Sequence, residues 1–115
     1  MKVRIQTQGF ELTPAIAARV HEQVNGILRR YADEVLAIDV YLKDLNGPKG
    51  GLDKQAGIRL QVRHLPPISV ISVEDDLYKA IDRSARRSRR AVRRSTSKFR
   101  RIRRRGLHHL VAAEG

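Results

Sequence analysis

Between Arg83 and Arg105, thirteen of 23 residues are Lys or Arg. Like charges repel and burying an unpaired one is costly, so such a stretch can fold only as an exposed element held to a body by a narrow seam. The seam is legible. Leu77, Ile81, Ala85, Ser88, Val92 and Phe99 recur at spacings of three, four or seven, which at about 100° per residue places them in one stripe of a helix. Lys79, Arg83, Arg86, Arg90 and Arg94 fall on the opposite side, with Arg87 and Arg93 on its flanks. Asp75 and Asp76 stand at its start, where carboxylates cap free amides and complement the positive helix end. Ser95, Thr96 and Ser97 are poor helix formers. Packing is therefore expected to be firm to Val92 and to fade beyond it. This divides the chain into a domain over residues 1–96 and a basic tail over 97–115, disordered without a partner.

The preceding residues alternate between two periods. Val3, Ile5 and Thr7 alternate with Arg4 and Gln6, as do Leu36, Ile38, Val40 and Leu42 with their neighbours, and Ile58, Leu60 and Val62 with theirs. A period of two is that of a half-buried strand. A short fourth strand follows Pro66 and Pro67 over Ile68 to Val73. Between the first two strands, Thr13 and Pro14 form a helix start, a capping oxygen followed by a proline where no N–H is needed. Ile16, Val20, Val24, Ile27 and Tyr31 then mark one apolar helical face.

The order strand-helix-strand-strand-strand-helix, with one apolar face on each helix, predicts an α+β two-layer sandwich. It has a four-stranded mixed sheet, parallel across the long helical connection and antiparallel across the short ones, with two helices on one face.

The net charge of +12 is confined to the helical arm. Residues 1–82 hold 11 basic and 11 acidic residues, whereas residues 83–115 hold 13 basic residues against Glu114 alone. A neutral body with a basic arm fits a polyanion. Arginine, with five donors in a planar fork and the ability to stack on exposed bases, favours RNA. The aromatics Phe10, Tyr31, Tyr41, Tyr78 and Phe99 include no pair resembling an RNA-recognition sheet, so phosphate and shape recognition is expected.

Other chemistries find little support. The loop NGPKGGLDK lacks the Gly-Lys-Ser/Thr ending of a phosphate loop and leads into a strand rather than a helix. His21, His64, His108 and His109 have no helical ligand spacing for a metal, and no nucleophile with base and orienter can be assembled. No cofactor, small-molecule substrate or enzymatic activity is expected. There are no cysteines for disulfides or thiolate sites. No run approaches the roughly 18 apolar residues of a membrane span, and the alternating N-terminus does not read as a secretion signal. A cytoplasmic protein, monomeric when free, is the expectation.

The stretch DDLYKAIDRSARRSRRAVRR resembles the final helix of the hibernation-promoting factor and ribosome-associated translation inhibitor family, the ribosomal subunit interface proteins, and QTQGFELTPAI is similar to that family's first strand and helix start. The resemblance spans residues 1 to about 96 and is to the short members. It implies a fold like that of double-stranded-RNA-binding domains and a seat between head and body of the small ribosomal subunit, where mRNA and tRNA would lie. It also implies that Lys79, Arg83, Arg86, Arg87, Arg90 and Arg94 face ribosomal RNA; Arg93, on the flank of the same surface, joins them as a candidate. The family usually has leucine where Ser88 stands, and the run from Lys98 to Arg105 is more basic than most short members carry.

The expectation is a translation silencer acting in ribosome hibernation under stress, bound to small-subunit RNA and excluding mRNA and tRNA. The alternatives are a general RNA- or DNA-binding protein using the basic helix, and a protein-interaction module built on the open sheet face with a secondary basic arm.

Overall fold

Strand β1, Lys2–Gln8, runs parallel to β2, Val35–Asp44, with Val3, Ile5 and Thr7 opposite Ile38, Val40 and Leu42. Beyond β2, the chain returns as β3, Lys54–Val62, and again as β4, Ile68–Glu74, both antiparallel to their predecessors. The sheet order is β1-β2-β3-β4. Helix α1, Pro14–Tyr31, connects the parallel pair, and α2, Leu77–Glu114, follows the last strand. The computed structural model describes residues 2–45 and 52–114, with side chains through residue 104. Most of the loop NGPKGGLDK lies outside them, although its last residue, Lys54, opens β3.

Local chemistry starts the helices where expected. The Thr13 hydroxyl accepts the Ile16 N–H at 3.2 Å ahead of Pro14, and the Asp76 carboxylate accepts the Tyr78 N–H at 3.1 Å. Each satisfies an amide that the first helical turn leaves free.

Both helices cover one face of the sheet, giving the two-layer α+β sandwich. Ile16, Val20, Val24, Ile27 and Tyr31 of α1, and Ala80, Ile81, Ala85 and Val92 of α2, join Ile38, Val40, Leu42, Ile58, Leu60 and Val62 in one core. Burial of a Val, Leu or Ile side chain stabilises by about 1.5 to 3 kcal/mol, and of an alanine by less. The opposite face is open. There Arg4 reaches Asp39 at 2.9 Å, and that hydrogen-bonded carboxylate raises the Arg4 pKa above its usual value. At the base of the β2–β3 loop, Lys54 lies 3.1 Å from Asp44 and 3.4 Å from Asp53, and its hydrogen bond to Asp44 is the main cause of a raised pKa.

Two details differ from the sequence reading. The alternation through Leu36 is broken by a bulge between Val35 and Ala37, which buries Val35 and leaves Leu36 48% exposed. The extra residue re-aims the side chains on one side of it. The buried stripe of α2 is wider than expected, taking in Ala80, Ser84 and Thr96. Ser84 donates to the Ala56 carbonyl at 2.7 Å, so its hydroxyl ties helix to sheet.

Helix α2 runs on past Val92 to Glu114. Its 38 residues extend over about 57 Å at the usual rise, most of the molecule's 68 Å length. Thr96 does not interrupt it, because its buried hydroxyl donates back to the Val92 carbonyl at 2.8 Å. Contacts past Val92 fasten it too: Arg100 meets Glu34 at 2.9 Å, and Phe99 stacks on His64.

Candidate RNA interface

Because the stripe of α2 is held against sheet and α1, its remaining circumference must face outward. Lys79, Arg83, Arg86, Arg87, Arg90, Arg93 and Arg94 are all exposed. Tertiary structure then sorts them into two flanks. On the β4 side, Lys79 pairs with Asp75 one turn back at 3.3 Å and Arg83 with Glu74 at 2.9 Å. Arg87 donates to the Ile71 carbonyl at 2.6 Å and to the Ser72 hydroxyl at 3.1 Å. These cations satisfy the end of β4 and the start of α2.

On the other side, α2 runs beside α1 in the same direction. Arg19 bonds both oxygens of Asp82, at 3.1 and 3.4 Å, while lying over the Tyr78 ring. One turn or so further along, Arg89 reaches the Gln23 side chain at 3.5 Å. Gly26 faces the same arginine, the position a Cβ would take there lying 3.4 Å from the Arg89 guanidinium, within ordinary contact. Past this point the helices leave a cleft of about 300 Å³, lined by Gly26, Arg30, Tyr31, Arg86, Arg89, Arg90 and Arg93. No carboxylate lines it. Arg30, Arg86, Arg90 and Arg93 have no ion-pair or hydrogen-bond partner among the described residues.

Five arginines lining one cleft without a carboxylate among them are favourable around phosphate, which the guanidinium fork binds through paired charge-assisted hydrogen bonds. The structure thus brings together Arg86, Arg90 and Arg93 from the sequence candidates. It engages Lys79, Arg83 and Arg87 with β4 and the helix start, and leaves Arg94 outside the cleft. Sequence reasoning missed Arg30, Arg89 and Gly26. The Arg29–Arg30 pair at the end of α1 was visible, but cations there also complement the negative end of a helix dipole, and nothing local signals that Arg30 meets α2.

Among the described residues, no group of three or more His, Asp or Glu stands together to hold a metal ion, and no helix is long and apolar enough to cross a membrane. His108 and His109 lie outside the described side chains.

Comparison with curated protein sequences yields no match. The crystal structure of the Thermus thermophilus Protein Y N-terminal domain is similar, with 30% identity, a TM-score of 0.65, and coverage of 81% of this chain and 93% of that one. The structure of a ribosomal subunit interface protein from Coxiella burnetii shares the fold, with 19% identity, a TM-score of 0.69, and coverage of 84% and 99%. Residues 3–100 match the family described as sigma 54 modulation protein / S30EA ribosomal protein, a span that ends where the Phe99 and Arg100 ties fasten α2 to the body. With the match covering the whole sandwich and both walls of the arginine cleft, the chain belongs to the sigma 54 modulation / S30EA ribosomal protein family.

Proposed function

We propose that this protein is a ribosome-binding translation silencer, a hibernation factor whose α1–α2 cleft grips ribosomal RNA phosphates of the small subunit. One observation carries the reading. Arginines from two helices converge on a carboxylate-free cleft, while the cations on the other flank of the same helix are engaged within the fold. Membership of a family described as a ribosomal protein, and likeness to a ribosomal subunit interface protein, support a ribosomal partner.

The neutral sandwich supplies shape and the cleft supplies attraction. The seat is the space between head and body of the small subunit, and silencing is steric exclusion of mRNA and tRNA by a monomeric, cytoplasmic protein. No covalent chemistry is required, and Lys79, Arg83, Arg87 and Arg94 add long-range attraction around the cleft.

Co-sedimentation with purified small subunits across a salt series tests this. If six to ten phosphates are neutralised, affinity falls by about a thousandfold or more between 50 and 200 mM salt, on the duplex-DNA scale of counterion release. Bound mRNA and tRNA are displaced as the protein is titrated. A nearly salt-independent affinity, or ternary complexes that persist at saturating protein, would overturn the reading.

A further inference from the structure

At the end of the sheet remote from the β2–β3 loop, the turn after β3 places His64 in the left-handed backbone region, φ 65°. Apart from glycines, no other described residue has a positive φ. Such backbone is unfavourable for a side-chain-bearing residue and persists only where its surroundings hold it. Here it sets the imidazole parallel to the Phe99 ring, at 13° between planes and 6.0 Å between centroids.

The two rings lie in a cleft of about 500 Å³, separate from the one between the helices, whose lining includes Arg63, Arg100 and Arg103. Ligand sites commonly measure about 300 to 1,000 Å³. Two of these arginines are already engaged. Arg63 Nε donates to the Asp33 carbonyl at 3.2 Å, and Arg100 pairs with Glu34 at 2.9 Å. The carboxylates of Asp33 and Glu34 lie on the same rim. Arg103 is exposed and has no partner among the described residues.

Stacked rings beside an unengaged guanidinium match the two parts of a nucleotide. An aromatic surface takes a base irrespective of its identity, and arginine takes the adjoining phosphate. Bases inside a duplex are stacked on one another and cannot be offered to such a platform; an unpaired one can.

We propose that the His64–Phe99 cleft is a second RNA site, which binds a single unpaired nucleotide with its base against the ring pair and its phosphate at Arg103. The inference rests on the RNA-binding reading above and adds to it. The interhelical cleft reads phosphate charge, whereas this site distinguishes single-stranded from paired RNA. It also gives the extension of α2 past Val92 a use, since Phe99 and Arg103 reach the site only because the helix continues.

The chain contains no tryptophan, so Phe99→Trp installs a single indole fluorophore at the stacking position. A short oligoadenylate is titrated into this variant, and a duplex RNA of equal phosphate content into a second sample, with binding followed independently by anisotropy of labelled RNA. The expected result is quenching of the indole by oligoadenylate in step with binding, and much less by the duplex. Equal quenching by both RNAs, or none while oligoadenylate is bound, overturns the proposal and leaves the arginine cleft standing. If the unaltered chain binds neither these RNAs nor small subunits, the RNA reading fails and this inference with it.

A second variant, His64→Gly, removes the ring and suits the left-handed backbone. Oligoadenylate affinity should fall by about fivefold to a hundredfold, the range for losing one base stack, with the salt slope unchanged. Unchanged affinity would show the ring pair to be only a clamp on α2, and would overturn the site.

Discussion

The two flanks of α2 carry the same residue types at similar exposure and do different work. Along β4, Lys79, Arg83 and Arg87 meet Asp75, Glu74 and the Ile71 carbonyl. Along α1, Arg86, Arg90 and Arg93 line a cleft with Gly26, Arg30, Tyr31 and Arg89, and no carboxylate is among its lining residues. Exposure and charge alone would assign all six to RNA. What separates them is whether the neighbouring element supplies acceptors: the end of β4 does, and the end of α1 supplies Arg30. A cation already satisfied must give up or share its partner to bind phosphate, whereas one held among like charges gains from the first phosphate that arrives.

The sharpest way to break that comparison is to neutralise one flank at a time. Replacing Arg86, Arg90 and Arg93 together by Gln should lower small-subunit affinity by about a thousandfold, if each forfeits a charge-assisted contact of about 1.5 kcal/mol. Folding stability should stay within about 1 kcal/mol, as expected of exposed positions without partners. Co-sedimentation and thermal unfolding read the two quantities. An affinity loss no greater than that from neutralising the β4 flank would erase the distinction between flanks.

Next in size is the buried side of the helix. Ile81→Ala, at a position 2% exposed, should cost about 2 to 5 kcal/mol in denaturant unfolding. The folded fraction should retain its affinity for RNA. A cost below about 1 kcal/mol would mean that this face does not hold the helix.

Ser88 sharpens the picture from the same side. It is fully buried and its hydroxyl has no hydrogen-bond partner among the described residues. An unsatisfied buried hydroxyl is destabilising, so Ser88→Ala should raise stability by about 1 kcal/mol without changing RNA affinity. A fall in unfolding midpoint would mean that the hydroxyl is satisfied.

The smallest effect belongs to the β4 flank. Arg83→Gln breaks a partly exposed pair with Glu74 and should cost about 0.2 to 1 kcal/mol of stability. Small-subunit affinity should fall less than tenfold. A loss as deep as that of the cleft variant would place this flank in the interface.

Much of the molecule is determined by short-range pattern. Thr13 and Pro14 start α1, the stripe from Ile16 to Tyr31 sets its buried face, β1 and β3 follow from the alternation of apolar side chains, and β4 follows from the short apolar-rich run after Pro66 and Pro67. These features depend on residues within a turn or a pleat of one another, so a reading of neighbours recovers them. The spacing of Ile81, Ala85, Ser88 and Val92 likewise determines which arginines face outward.

Tertiary structure decided the rest. The bulge that buries Val35 in place of Leu36 arises from pairing with β3. Past Val92, α2 is tied to the body by Glu34 and His64, against the weak helix propensity of residues 95–97. Above all, which outward arginines are engaged and which remain open was decided by the elements on either side of α2. A guanidinium's role depends on groups within a few ångströms of its tip, and for Arg30 and Arg93, or Arg87 and Ile71, those groups come from distant stretches of chain brought together only by folding.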